Sequence, residues 1–388
     1  MSVPAVVHAR WVCYNAVRGR APRERMYMDS RERVFLALNH EEPDRVPFDF
    51  WASEGAWRII EQGSGLREDE FLDKYDVDFR YIGGPEYIGP KLAPDTDIWG
   101  VKRHLVDVPT PYGRETYSEV DVSPLASTSS ADEVEDFQGW PSPDNFNYSV
   151  VKAQAQAVKD SGRVVVFMGD RLNRIAQLKP AMYLRGVEQI LVDMAVEPDI
   201  VRTIFGRMRT FYAEYLQRIL EAADGLIDIV LTGDDFGQQG GLLVSPDMWD
   251  KFLAEGFACY MRVINAYGAR SMHHTCGDVR LLVDRMRKLG LNILQSLQPE
   301  AMSDFFPELK LKFGGDMCFQ GGISIQQTMP KGCPADVTAE VKERVRLLGV
   351  NGGYILCTAH NVQADCPYSN VIALLDAYHS HGRYSKTR

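Results

Sequence analysis

Residues 270–277 read Arg270-Ser271-Met272-His273-His274-Thr275-Cys276-Gly277. A short β-type run ends here in a histidine, a threonine, a cysteine and a turn glycine. A long amphipathic stretch, residues 248–267, precedes it, and this alternation recurs along the chain. Eight runs fit the pattern: 46–50, 79–82, 164–168, 227–231, 270–274, 293–297, 311–314 and 354–356. They are rich in Val, Ile, Leu and Phe, and amphipathic stretches such as 187–194 separate them. Apolar strands alternating with helices imply a parallel sheet buried on both faces. Eight such units close a (β/α)8 TIM barrel; a doubly wound open sheet is the structural alternative.

Working outward, Asp29 or Ser30 caps a first helix with Val34, Leu36, Ala37 and Leu38 on its apolar face, ended by Pro43. Residues 85–150 break the alternation: Val106, Pro109, Pro111, Gly113 and Tyr117 read as a hairpin inserted after the second strand. The first 27 residues hold Arg10, Arg18, Arg20, Arg23 and Arg25 against one acid, Glu24, with no apolar core of a secretory signal. The expected division is an N-terminal extension, 1–28, and one barrel domain, 29–388.

Composition excludes several function classes. The net charge of −10, with no basic stripe, argues against nucleic acid and against an anionic membrane surface. No apolar run approaches the ~18 residues that span a bilayer. Seven cysteines without paired spacing suit a reducing compartment, the cytoplasm, better than a disulfide framework. A homo-oligomer is compatible with these features, which do not decide it.

Barrel enzymes work at the carboxyl ends of their strands. Those ends carry Trp51 and Glu54, then Asp170 and Arg171, then Asp234 and Asp235, and then His274 and Cys276. Gln298, Asp316 and residues 357–360 complete the ring. Residues two apart on an extended chain point to one side, so His274 and Cys276 can converge as nitrogen and sulfur ligands of one ion. Zinc takes such a mixture, and a catalytic zinc has three protein ligands and an open position. His360 and Cys357 are the candidates for the third; as ordinary residues they are a capping loop histidine and a packed thiol. At most one of the adjacent Asp234 and Asp235 can face the pocket, and Asp235 is the candidate acid, base or extra ligand. Trp51, Trp57 and Tyr87 offer aromatic surface, although most aromatics pack in cores.

His274-Thr275-Cys276-Gly277-Asp278-Val279 resembles the His-x-Cys-Gly segment of methyltransferases in the uroporphyrinogen-decarboxylase superfamily. Phe313-Gly314-Gly315-Asp316 resembles that family's Gly-Gly/Asn-Asp strand end, and Gly352-Gly353-Tyr354-Ile355-Leu356 its closing strand, with Pro367 and Asn370 as its Pro-x-x-Asn. Gly233-Asp234-Asp235-Phe236-Gly237 with Ser245-Pro246 is similar to a further common segment. The resemblance runs from Asp29 to about Tyr378. It implies a zinc site made by the His-x-Cys pair and a cysteine seven residues before the proline, and a corrinoid (cobalamin) carried by a partner protein. Seven residues before Pro367 stands His360, an imidazole where the family has a thiolate: either His360 replaces the cysteine, or Cys357 reaches in, or the zinc site is lost, and His360 is the residue the register favours. Uroporphyrinogen decarboxylase itself holds its acidic porphyrin with an arginine-rich segment. Here Phe50-Trp51-Ala52-Ser53-Glu54-Gly55-Ala56-Trp57 has no arginine and one acid, which excludes that substrate.

The resemblance thus implies a zinc methyltransferase with metal ligands His274, Cys276 and His360. Asp235 and Glu54 are the expected catalytic residues; Trp51, Asp170, Arg171 and Gln298 are the expected substrate-binding residues. Two imidazoles and one thiolate leave Zn2+ with net positive charge, a better Lewis acid than a two-thiolate site. That points to O-demethylation of a methoxylated small molecule, an aromatic one included, with a corrinoid protein as methyl acceptor. Two rivals are a metal-independent decarboxylase or lyase using Asp235 and Arg171, and a non-catalytic binding protein in which His274 and Cys276 meet no third ligand.

Overall fold

The computed structural model describes residues 28–169 and 174–384. The Arg-rich start and both Asp170 and Arg171 lie outside the described residues. Seven parallel strands follow one another in sequence order around a curled sheet: Phe79–Ile82, Val164–Phe167, Ile229–Gly233, Arg270–His274, Ile293–Leu297, Cys318–Ile323 and Tyr354–Thr358. The eighth stave is residues 46–50. Phe48 bridges Leu356 in parallel, the Leu356 amide donates to the Pro47 carbonyl at 2.9 Å, and the Asp78 amide donates to the Phe48 carbonyl at 3.0 Å. The segment therefore touches both edges of the sheet and closes the TIM barrel. It makes no regular ladder because Pro47 has no N–H to give and the Phe48 amide is taken by the Asp78 carboxylate at 2.8 Å.

Alternation along the strands sorts side chains between lumen and helices. Phe79, Val164, Val166, Ile229, Leu231, Met272, Ile293, Cys318 and Ile355 fill the lower lumen. Val34 and Leu38 of the helix Ser30–Leu38, which Asp29 caps through the Glu32 amide at 2.7 Å, plug its amino end. The opposite parity, Val165, Phe167, Val230, Leu294, Phe319 and Leu356, packs against the outer helices.

One strand lies elsewhere than the sequence suggests. Residues 311–314 end the helix Phe306–Phe313, and Leu311, read as a strand residue, is 86% exposed. The seventh barrel strand is Cys318–Ile323. Its Gly321 has φ +117° and approaches the neighbouring chain so closely that a Cβ would meet the Leu297 amide nitrogen at 2.7 Å. The two consecutive glycines hide the strand from a search for β-branched residues. Asp316 consequently precedes its strand, at the barrel's amino end, and pairs with Arg287 at 2.7 Å. The expected insertion is present: Lys102–Pro109 pairs antiparallel with Arg114–Val122.

Asp78 is fully buried and serves both closure and packing. Its carboxylate accepts from Arg33 and Arg45, each at 2.7 Å, as well as from the Phe48 amide. Removing one member of such a cluster strands buried charge, at a cost of about 3–5 kcal/mol. Asp78→Ala should therefore lower the unfolding free energy by that order in urea titrations. Asp44→Ala, which removes a partly exposed partner of Arg33, should cost less; equal losses would show that Asp78 has no special part in closure.

Candidate metal centre

Above the apolar lumen layers the inward-facing residues turn polar. His274 ends its strand on the same parity as Met272, so its ring faces the barrel mouth. His273 points the other way, buried among Phe236 and Phe257 with ring centroids 5.2 and 4.9 Å away. Beyond the strand, Gly277 takes φ +82°, and a Cβ there would meet the backbone of Gly237 at 2.3 Å. The sharp turn holds Cys276 beside the barrel axis, with its Sγ 3.4 Å from His274 Nε2. His360 comes from the loop after Tyr354–Thr358. One ligand atom from each of His274, Cys276 and His360 lies within 4.8 Å of the others.

Fixed partners aim both imidazoles. His274 Nδ1 lies 2.7 Å from Gln295 Oε1, its register neighbour on the next strand, and His360 Nδ1 bonds the Asn361 side-chain carbonyl. With Nδ1–H donating to oxygen, each ring keeps its Nε2 lone pair for an ion, as metal-bound histidines do. Burial, reinforced by His360, holds the His274 pKa well below its ordinary value. Burial lowers His360 to about 4. Both rings are thus neutral at pH 7. Burial, with Asp235 nearby, raises the Cys276 thiol to about 12; Lys179 and Ser296 oppose the rise. The buried Ser296 hydroxyl has no settled hydrogen bond, so it can turn to a thiolate at Cys276. Two neutral nitrogens, one sulfur and a waiting donor fit a borderline-soft divalent ion such as zinc. Cys357 is not in the cluster. It continues the lumen-facing parity of Ile355 and is fully buried, its thiol raised well above the usual range by burial and then by Asp49.

The two adjacent acids divide as strand geometry requires. Asp234 accepts the Gln177, Leu178 and Lys179 amides at 2.6, 3.1 and 2.7 Å, anchoring the helix Leu178–Arg185; burial nonetheless raises its pKa to about 7. Asp235 faces the cluster, 3.8 Å from His274 Nε2, and accepts from the Cys276 amide at 3.1 Å and Lys179 Nζ at 2.7 Å. Burial is the largest single influence and works against its charge, but Lys179, His274 and the Cys276 amide together outweigh it and hold the carboxyl well below the usual range.

The cluster opens into a cavity of about 440 Å³ lined by Trp51, Tyr117, Arg174, Lys179, Tyr183 and Asn361, among others. Trp51 sits against both imidazoles, its ring centroid 5.3 Å from His360 and 6.3 Å from His274. Trp57 packs against Phe50 and Phe71, and Tyr87 against Phe146; neither lines the cavity. Glu54 stands at the rim with its side chain 88% exposed, near Arg58. Gln298 does not line the cavity; it accepts from the Gly277 amide at 2.9 Å and so holds the cysteine turn. Sequence reasoning missed Gln295, Asn361, Lys179 and Arg174. Of these only Gln295 carried a readable signal, since a polar residue on the lumen parity of a barrel strand needs a partner there.

The fold is a closed (β/α)8 barrel with three side chains at its mouth that could hold a metal ion. The uroporphyrinogen decarboxylase family profile matches residues 117–381, and the chain belongs to that family. Among solved structures it is similar to a methyltransferase from Methanosarcina mazei, at 16% identity over 91% of this chain and 99% of that one, with a TM-score of 0.64. Similarity to D-psicose 3-epimerase (12% identity, 65% of this chain and 88% of that one, TM-score 0.36) is too loose to bear on the site. The same holds for 3-keto-D-glucoside 4-epimerase from E. coli (12%, 59% and 93%, 0.34). No curated protein matches the chain in sequence.

Binding a divalent ion here requires the Cys276 proton to leave, whereas the imidazoles have none to lose above about pH 5. Zinc uptake at pH 7 should release one proton per ion, and affinity should rise about tenfold per pH unit between pH 5 and 8. Calorimetry in buffers of different ionisation enthalpy measures the count. Release of two or three protons at pH 5.5 would mean the imidazoles are charged before the ion binds.

Proposed function

We propose that this chain is a zinc-dependent methyltransferase that moves a methyl group between a small methylated compound and a corrinoid protein. In this reading it O-demethylates a methoxylated donor. One observation carries the reading: two imidazoles and a thiol converge at the mouth of a uroporphyrinogen-decarboxylase-family barrel, beside a cavity of small-molecule size. The fold shared with the M. mazei methyltransferase supports it.

His274, Cys276 and His360 would hold Zn2+ at the mouth of the cavity. Zinc bound there would supply Lewis acidity at a methoxy oxygen, and a corrinoid carried by a partner protein would supply the methyl acceptor. The chain's own residues do the rest. Gln295 and Asn361 fix the ring planes. Asp235 stays ionised and tied to Lys179 and the Cys276 amide, so it positions the cysteine and is a poor proton donor. Lys179, kept charged by Asp235 against the effect of burial, presents an ammonium to the cavity where the donor oxygen gains negative charge. Trp51 offers an aromatic face beside the cluster. Glu54, exposed at the rim, has no part in this reading. We place the protein in the reducing cytoplasm: the cysteines of the described residues are all free thiols, and no helix among them is long and apolar enough to cross a membrane.

Purified protein should carry close to one zinc per chain. Cys276→Ala should lose it and stay folded, because the barrel core is independent of the ligands; Cys357→Ser should keep it. Turnover of a methoxylated compound should appear only with cob(I)alamin or a corrinoid protein, read as methylcobalamin formation. His360→Cys should retain zinc but lose activity, because the added thiolate weakens the Lewis acid. Turnover without corrinoid, or zinc lost in Cys357→Ser and kept in His360→Ala, would overturn the assignment.

A further inference from the structure

The inserted hairpin is pinned across the barrel mouth at both ends of its span. On one side Arg103, buried and paired with Asp97 at 3.0 Å, lies over the Tyr183 ring at 4.5 Å. On the other side Glu115, 4% exposed, accepts from the Ala364 amide at 2.6 Å and from the Ser53 hydroxyl. Ser53 caps the helix Glu54–Ser64 through the Ala56 amide. Thr110, in the hairpin turn, donates to the Ala364 carbonyl at 2.7 Å. Gly55 makes the contact sterically feasible: a Cβ there would meet the Arg114 carbonyl at 2.3 Å. Ala364 thus has both its amide and its carbonyl bonded to the hairpin. It lies on the same loop as His360 and Asn361, and that loop returns to the barrel at Val362, bridged to Ala52.

We infer that Glu115 is a positioning residue for the metal centre: through Ala364 it fixes the loop that carries His360, and through Ser53 it couples that loop to the segment bearing Trp51. The hairpin is a fixed strap. Thr116 and Tyr117, next along the same strand, form a wall of the cavity, so the bonds that seat the third ligand also set the space for the donor. Glu115 lines the cavity beside Thr116 and Tyr117, but its Oε1 is taken by the Ser53 hydroxyl and the Ala364 amide, and the role assigned to it is to hold these two partners. The inference rests on His360 being a ligand.

Cobalt(II) reports coordination directly. Glu115→Ala should bind Co(II) about tenfold more weakly, the range in which outer partners of metal ligands act, with an altered ligand-field spectrum. Glu115→Gln keeps a carbonyl for the Ala364 amide and should restore both. Thr110→Val removes the second tie without touching the buried carboxylate and should change the spectrum in the same direction. Hydrogen exchange of residues 359–366, measured without metal, should quicken in Glu115→Ala and Thr110→Val and not in Glu115→Gln. Unchanged exchange in Glu115→Ala, or slower exchange, overturns the inference whatever the metal does. An unaltered Co(II) spectrum with quickened exchange overturns the positioning role and leaves a purely structural one. If wild-type protein takes up no Co(II), the metal reading fails, and the positioning role with it.

Discussion

His274 ends one strand and His360 follows another three places along the sheet, so they can share one ion only because the sheet curls, and closure of the barrel holds that curl. Closure depends on residues 46–50, an irregular stave whose proline cannot complete a ladder. The Asp78 carboxylate replaces the missing regularity by taking the Phe48 amide and two buried guanidinium groups at once. Everything at the mouth follows from that join. Once the stave is seated, Trp51 lies beside His360, and Val362 is bridged back to Ala52. The apolar lower lumen, plugged by Val34 and Leu38, supplies a rigid floor that does not need the metal.

Burial does the electrostatic work in the cluster. In a cavity this enclosed, charged imidazole is disfavoured before any partner is counted, so both histidines stand ready as neutral donors. The thiol pays the opposite penalty and stays protonated until an ion replaces its proton. The adjacent acids show how one strand end serves two purposes. Asp234 turns outward to anchor a helix, while Asp235 turns inward and is kept ionised by Lys179. Their order follows from strand alternation, which is why sequence allowed at most one in the pocket.

Much of this was legible in the sequence because barrel strands and their parity are local properties. The His-x-Cys pair, its inward direction and the inserted hairpin are all readable from a few neighbouring residues. The choice of His360 over Cys357 came from a family register; His360 lies close to His274 and Cys276, whereas Cys357 belongs to a buried lumen layer below the mouth. The misplaced strand has a physical cause. Leu311 and Phe313 alternate like strand residues, yet they end a helix, and the true strand carries Gly321 and Gly322 where β-branched residues were sought. Glu54 and Gln298 sit next to the right strand ends, but one is directed to solvent and the other to a backbone amide. Glu115 was invisible because its partners, Ser53 and Ala364, are distant in sequence.

X-ray absorption at the zinc edge of the purified, zinc-loaded protein tests the central claim most directly, because it counts the ligand atoms themselves. The expected first shell has one sulfur at about 2.3 Å and two imidazole nitrogens at about 2.0 Å, with a light-atom fourth ligand. A shell with two or more sulfurs, or with oxygen and no sulfur, would contradict the joining of His274, Cys276 and His360 around one ion.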